Sequence, residues 1–550
     1  MKKNDLTDLT IEDMSSEGLG IGHASGMAVF VKDAVIGDRV RAKIVKVKKS
    51  YAYARLEAIL TPGPDRVAPI CPAARQCGGC QIQEMSYPAQ LRLKERKVRE
   101  NLIRIGGFDL PSGPDSPNTS ADSAIFHPII GMENPWHYRN KAQFPIGERK
   151  DGAIIAGFYA GRTHTIIDCH QCEIGIEENR IILETVISWM RSCGIRPYRE
   201  GEASGVSPCR EGETSGVSPC REGEASGVSP CREGEASGVS PCREGDKTGG
   251  IRHVMIRAGF STGDLMVVIV ATTPSLREEQ KLVSMLRSQI GDMLSANTVA
   301  KSAVNTVSKS AANTVAKSDT DTGSRLRETQ EPRRFHLRSI LLNVNPARTN
   351  VILGPQTRVL YGDDFIEDRI GPLTYRISAR SFYQVNPVQT AVLYQTALEY
   401  AALTGRENVW DLYCGTGTIS LFLAQHARHV TGIEVIPEAV ENAKKNAERN
   451  HIRNCTFVVG KAEDLVDGLP RADVIVVDPP RKGLDRVVID VILRSAPDRI
   501  VYVSCDSATL ARDLKILCDG GYQLRHIQPV DQFCHTVHVE SVVKLTRAGS

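Results

Sequence analysis

The hydrophobic pattern changes rhythm along this 550-residue chain. Between residues 8 and 60, short β-prone runs at 27–31, 39–47 and 52–60 alternate with turns at Gly18-Leu19-Gly20 and Ile36-Gly37-Asp38. Such alternation predicts a small five-stranded β-barrel. Over 86–105 the apolar spacing lengthens to that of a helix. Leu91, Val98, Leu102 and Ile105 are set there among Arg92, Lys94, Arg96, Lys97, Arg99 and Arg104, which predicts a basic amphipathic helix. Further strands are expected at 154–159, 252–259, 264–271 and 339–345. From Thr390 onward, helical stretches alternate with apolar runs at 409–412, 430–434, 472–478 and 500–504, the order of a doubly wound, Rossmann-like α/β sheet.

Two stretches break these rhythms. Between Arg199 and Cys242 the unit Arg-Glu-Gly-Glu-Ala-Ser-Gly-Val-Ser-Pro-Cys occurs four times, with Thr214 its one substitution. Two glycines and a proline per unit forbid a stable helix, and one valine per unit buries too little surface to order the segment. A second repeat begins at Ala296-Asn297-Thr298-Val299-Ala300-Lys301-Ser302 and runs imperfectly to Ser318. Both are read as disordered insertions in surface loops, at about 199–248 and 295–332, which makes Cys209, Cys220, Cys231 and Cys242 passengers. The chain then divides into a barrel at 1–63, a central α+β part at 64–375 and the α/β domain at 376–550.

With 41% hydrophobic and 24% charged residues and no run of 18 apolar residues, the composition is that of a globular protein with no membrane partner. No apolar core follows Met1-Lys2-Lys3-Asn4-Asp5, so a secretory signal is not expected and a cytoplasmic monomer is. The net charge of +3 conceals a ribbon from Arg39 to Arg55 that holds Arg39, Arg41, Lys43, Lys46, Lys48, Lys49 and Arg55 with no acid between them. A ribbon of this kind suits a polyanion, or else is a solvated strand face. Cys71 and Cys77-Gly78-Gly79-Cys80, with Cys169 and Cys172 far downstream, offer three closely spaced thiols and a remote fourth. That set can enclose zinc or an iron–sulfur cluster, and spacing does not choose between them.

Candidate chemistry gathers at the strand ends of the last domain. Asp411-Leu412-Tyr413-Cys414-Gly415-Thr416-Gly417-Thr418 closes the first strand, and Glu434 closes the second, 23 residues after Asp411. Glycines let a nucleoside approach the backbone, and an acid at that distance accepts ribose hydroxyls. Ser420 stands where a dinucleotide fingerprint needs Gly or Ala, so S-adenosylmethionine, which has no phosphate, fits better than a pyrophosphate. Asp478-Pro479-Pro480-Arg481 ends another strand, and Ser504-Cys505-Asp506-Ser507 the next. A thiolate adding to C6 of uracil makes C5 nucleophilic enough to accept a methyl group, after which a base must remove the C5 proton. Cys505 is the candidate nucleophile, and Glu540, in the strand-like 537–543, the candidate base.

These motifs, with Ile377-Ser378-Ala379-Arg380-Ser381-Phe382-Tyr383-Gln384-Val385-Asn386-Pro387 and His535-Thr536-Val537-His538-Val539-Glu540, closely resemble those of the RumA-type RNA (uracil-5-)-methyltransferases, which carry an N-terminal TRAM domain. The resemblance covers nearly the whole chain apart from the repeats. It implies that Gln384, Tyr413, Glu434 and Asp478 contact the methyl donor or target base, with Glu434 at the ribose. It also implies a [4Fe-4S] cluster on Cys71, Cys77, Cys80 and Cys172, with Cys172 preferred to Cys169 as the fourth ligand. Cys534 stands where many relatives have proline.

The expected activity is methylation of uridine C5 in RNA, with 23S rRNA the first choice of substrate and tRNA the second. The target base should flip out of its stack, and phosphate contacts should come from the barrel and the basic helix, with Tyr138-Arg139-Asn140-Lys141 adding a stacking aromatic. Rival readings are a catalytically inactive RNA-binding relative and a nicotinamide reductase on the same sheet.

Overall fold

The computed structural model describes residues 1–110, 124–161, 163–199, 250–291, 335–465 and 468–549. Both expected insertions lie almost wholly outside these residues.

The N-terminal sheet holds strands Leu6–Thr10, Asp13–Met14, Gly20–Ala24, Met27–Lys32, Arg39–Val47 and Tyr51–Thr61. Leu6–Thr10 pairs with Arg39–Val47 at one edge, and Asp13–Met14, three residues on, pairs with Gly20–Ala24 at the other, so the two segments close the sheet into a barrel. Its interior is filled by Leu9, Ile11, Val29, Val31, Val40 and Ile44, which alternate with less buried residues such as Thr10, Phe30, Arg41 and Lys43. The short Asp13–Met14 pairing is the one strand beyond the expected five.

The central sheet has seven strands in the order Ile166–Asp168, Ile154–Tyr159, Lys141–Glu148, Ile251–Ala258, Asp264–Ala271, His336–Val344 and Gln356–Gly362. Helix Glu178–Cys193 and a helix at 279–291 cover it, with Trp189, Met190 and Leu286 in the shared core.

The C-terminal sheet has eight strands in the order Cys455–Val459, His429–Glu434, Asn408–Leu412, Val474–Val477, Arg499–Ser504, Glu540–Arg547, Tyr522–Val530 and Ile125–Phe126. Its first five strands, from Cys455–Val459 to Arg499–Ser504, run parallel, as expected of a doubly wound domain. The sheet also takes in pieces from far upstream. Ile125–Phe126 pairs with His526 and Ile527, and helix Tyr87–Arg104 buries Val98 and Leu102 in the same apolar cluster as Leu510 and Leu514. These segments, expected in the central part, pack on the α/β domain because their apolar faces find their cover there. The hairpin Phe365–Ile370 and Leu373–Ser378 likewise packs on this domain, through Ile366, Tyr375 and Ile377.

Candidate active site

Three neighbouring strands of the C-terminal sheet carry a reactive side chain at the same edge, two just past their last residue and one, Glu540, at its first. Asp478 follows Val477, which lies beside Tyr502 in a parallel pair, and Cys505 follows Ser504, which faces Ser541 in an antiparallel pair. Continuing that antiparallel register by one residue sets Cys505 opposite Glu540. Sequence places these residues 62 apart at the widest; the ladder makes them neighbours.

Their electrostatics follow from burial. Burial raises the Asp478 carboxyl to about 7. Glu540 is raised well above the ordinary carboxylate range, first by burial and then by Asp478, with Arg481 opposing. Two carboxyls this close do not both ionise readily, so the pair shares its negative charge. The half-buried Cys505 thiol is pushed up to about 11 by burial and then by Glu540 and Asp478. At neutral pH it therefore rests as a thiol. Glu540 Oε2 is buried without a hydrogen-bond partner, an acceptor held ready for something not supplied by the chain.

The turn after Asn408–Leu412 is built to leave room. Tyr413, Gly415 and Gly417 have φ of 71°, 54° and 79°. A Cβ on Gly417 would stand 2.8 Å from the Phe457 ring, whereas one on Gly415 would meet nothing within 4 Å, so Gly417 serves packing and Gly415 faces open space. Glu434 accepts hydrogen bonds from the backbone N–H of Gly415 at 3.1 Å and of Ile436 at 3.0 Å, which fixes its carboxylate beside that space. Tyr413 is half-buried, and its hydroxyl is pushed up to about 12 by burial, keeping it a neutral phenol. Ser420 donates to Asp411 Oδ2 at 2.5 Å, which accounts for a serine at that position of the turn. Asp411 is buried, raised to about 7 by burial, and its Oδ1 has no partner. Orphaned buried carboxylate oxygens beside an open glycine suit a ligand that carries amino and ribose hydroxyl donors, as S-adenosylmethionine does.

Gln384 is buried on a segment pinned from two sides. Arg257 of the central sheet donates to the carbonyls of Ser378 and Ser381, and Asn140 Nδ2 donates to the Gln384 carbonyl at 2.9 Å. Asn386 caps helix Pro387–Ala401 by accepting from Gln389 N at 3.2 Å, and donates to the Gln532 carbonyl at 3.1 Å. The segment carrying Gln384 is thereby tied to the loop that precedes Glu540. Phe382, 68% exposed, stands at the lip of this segment, and its carbonyl accepts from the Thr416 hydroxyl at 3.4 Å.

The thiol-rich corner brings the upstream and downstream cysteines together. Cys80 and Cys172 pack together with Tyr138, Trp136 and Cys534. The Cys71 thiol is held below its ordinary value chiefly by Cys169, the cysteine set aside in favour of Cys172, while the Cys169 thiol donates to the Gln171 carbonyl at 2.9 Å. Among the described residues, no three His, Cys, Asp or Glu side chains form a group that would hold a metal ion. Cys71, Cys77, Cys80 and Cys172 nonetheless act on one another's charge, and the all-thiol donor set is chemically that of a zinc or iron–sulfur site. Cys71, Cys80, Cys169 and Cys172 sit on loops, and Cys77 in a single bridge to Ala160, so no ladder sets their spacing. Tyr138 is also corrected: it is buried and donates to the Cys534 carbonyl at 3.1 Å, so its ring is not free to stack on a base. Cys534 itself is fully buried, and Tyr138 and Tyr87 hold its loop without a proline.

Asp411, Ser420, Gln532, Gln90 and Lys94 were not singled out as site residues from the sequence. Asn386-Pro387 carried a helix-start signal that pointed to the capping role. Gln90 and Lys94 stood in a basic run that gave no sign of their burial.

The match to known proteins follows this architecture. Residues 4–56 match the TRAM domain model, and residues 403–515 match a methyltransferase domain model. A Halalkalibacterium halodurans protein named as an RNA methyltransferase is 42% identical over 550 residues, covering 99% of this chain and 98% of that one. A Bacillus cereus RNA methyltransferase is 40% identical, covering 100% and 98%. The Pyrococcus abyssi tRNA (uracil-54, C5)-methyltransferase structure shares the fold with a TM-score of 0.64 at 22% identity, over 98% of this chain and all of that one. The fold is that of a TRAM-bearing methyltransferase, and the chain belongs to the RNA methyltransferase family. Among the described residues, no helix is long and apolar enough to cross a membrane.

Proposed function

We propose that this RNA methyltransferase transfers the methyl group of S-adenosylmethionine to C5 of uridine in 23S rRNA, acting as a monomer in the cytoplasm. The register that sets Cys505 opposite Glu540, with Asp478 on the adjoining strand, carries this reading. Glu434 would hold the donor's ribose, with Gln384, Tyr413 and Asp478 completing the contacts to donor and base. S-adenosylmethionine supplies an electrophilic methyl group on a sulfonium. Cys505, once deprotonated, adds through sulfur to uracil C6, and the electron pair displaced to C5 takes up the methyl group as the sulfonium's S–CH3 bond breaks, leaving its electrons on the donor sulfur as a neutral thioether. Glu540 then accepts the C5 proton, and the C6–S bond breaks with its electrons returning to sulfur. A carboxylate made more basic by burial and by Asp478 is suited to that weakly acidic proton. Cys71, Cys77, Cys80 and Cys172 would hold a [4Fe-4S] cluster, or zinc, with no part in the transfer.

The test incubates the purified protein and methyl-tritiated S-adenosylmethionine with total RNA from cells lacking the gene. Labelled 5-methyluridine is expected in 23S rRNA, and Cys505→Ala should lower the yield by about a thousandfold or more while RNA binding persists. Label in tRNA alone, the substrate named for the Pyrococcus neighbour, would overturn the rRNA assignment. Label in neither RNA would overturn the activity.

A further inference from the structure

We propose that the buried polar stripe of helix Tyr87–Arg104 is a positioning device for Glu540, with Gln90 and Lys94 its principal members; this rests on the uridine C5 reading above. Tyr87, Gln90, Lys94, Lys97 and Asn101 recur at steps of three and four residues, so they share one helix face. Every one of them grips the loop before Glu540 or the helix after Cys505. Tyr87 Oη donates to Asp531 Oδ2 at 2.9 Å, and Lys94 Nζ donates to Asp531 Oδ1 at 2.5 Å and to the Phe533 carbonyl at 3.0 Å. Gln90 takes His535 from both sides, with Nε2 at 3.1 Å from the ring Nδ1 and Oε1 accepting the backbone N–H at 3.0 Å. Lys97 Nζ donates to the Val537 carbonyl at 3.0 Å, and Asn101 Nδ2 to Ser507 Oγ at 2.7 Å.

The loop is a closed excursion, because Val530 and Glu540 face each other across the antiparallel pair at its two ends. Gln90 and Lys94 are each only 1% exposed, so water does not compete for these bonds. A buried ion pair is a poor substitute for apolar packing if stability alone is at stake, whereas it fixes geometry where two chain segments must meet in one register. Cys505 is already set by its strand and by Asp506, whose carboxylate accepts from Ala508 N and Thr509 N at 3.0 Å. Glu540, the first residue of its strand, is oriented by the loop that delivers it. The stripe therefore acts on proton removal rather than on thiol addition. With Glu540 displaced, Cys505 still adds to C6 and C5 is still methylated, but the C5 proton stays and the C6–S bond does not break.

The experiment measures the denaturant-resistant protein–RNA adduct and turnover together, with substrate RNA and S-adenosylmethionine. Gln90→Ala and Lys94→Met should lower kcat by about tenfold to a hundredfold, leave KM for RNA near its original value, and raise the adduct fraction severalfold. Lys94→Arg should recover part of kcat. Should Lys94→Met fail to fold, Gln90→Ala carries the test alone. Folded variants with unchanged kcat, or with adduct and product falling in parallel, would overturn the positioning role. A wild-type protein that forms neither adduct nor 5-methyluridine would instead overturn the activity on which the role rests.

Discussion

Helix Tyr87–Arg104 and strand Arg39–Val47 are both rich in lysine and arginine, and the folded chain turns them in opposite directions. In the helix, Lys94 and Lys97 point into the protein, Arg92 and Arg96 pair with Asp65 and Asp13, and Arg99 lies 4.1 Å over the Phe126 ring. On the strand and its continuation, Arg41 pairs with Asp8, while Lys46, Lys48 and Lys49 are exposed and carry no ion pair among the described residues. Beside these lysines, Phe30, Tyr51 and Tyr53 group with ring centroids 5.5 to 5.6 Å apart. A stretch of positive charge is thus directed by the acceptors that the fold brings to it. Asp531 and the carbonyls of its loop reach the helix, whereas among the described residues no carboxylate pairs with Lys46, Lys48 or Lys49.

The largest effect that distinguishes the two regions is on stability. Removing one partner of a buried ion pair leaves an uncompensated charge, so Lys94→Met should cost about 3–5 kcal/mol in urea unfolding. Lys46→Met, on the barrel surface, should change stability by no more than about 0.5 kcal/mol. Equal losses in the two variants would erase the distinction drawn here.

A smaller effect depends on pH. The His535 imidazole held by Gln90 is pushed down to about 4, first by burial and then by the Lys94 charge. The folded protein resists a proton that the unfolded chain accepts near the ordinary value of about 6.5. The stability from this group is therefore complete above about pH 6.5 and is lost as pH falls towards 4. Lys94→Met removes the cation that opposes protonation, so this acid loss should soften in the variant while the Lys46→Met protein keeps the full slope. Urea titrations between pH 4 and 8 read both, and an unchanged slope in Lys94→Met would separate His535 from the lysine.

How much of this was legible in the sequence depended on how far apart the partners lie. The strands at 154–159, 264–271 and 409–412 were readable because a strand's alternation or apolar run is a local signal, and the structure has strands there to within a residue. Cys505, Asp478 and Glu434 stood out for the same reason, since each ends an apolar run at the edge where such sheets bind ligands. The inward turn of Lys94 was not legible, because its acceptor lies 437 residues away and basic residues at helical spacing read alike whether solvated or buried. Strand Ile125–Phe126 was missed because two residues give no period, and its partner His526 comes from the other end of the chain. The thiols of Cys71, Cys77, Cys80 and Cys172 had legible spacing without legible geometry: loop residues take their final distances from what they bind, whereas strand ends take theirs from the ladder.

The smallest effect belongs to the barrel lysines and is best seen in salt dependence. If Lys46, Lys48 and Lys49 face RNA phosphates while Phe30, Tyr51 and Tyr53 offer rings to unpaired bases, each lysine displaces counterions from the strand it meets. The slope of log affinity against log salt should then become shallower by about 0.7 for every phosphate contact removed from single-stranded RNA. Replacing all three lysines with alanine should flatten the slope by about 2, weaken binding at low salt, and leave single-turnover methylation at saturating RNA unchanged. Lys97→Ala on the helix should do the reverse, slowing turnover with little change in slope, because its ammonium is committed to the Val537 carbonyl. A triple variant whose slope matches the wild type would mean that the barrel's free charges are a solvated face, and that RNA is held by some other surface of the molecule.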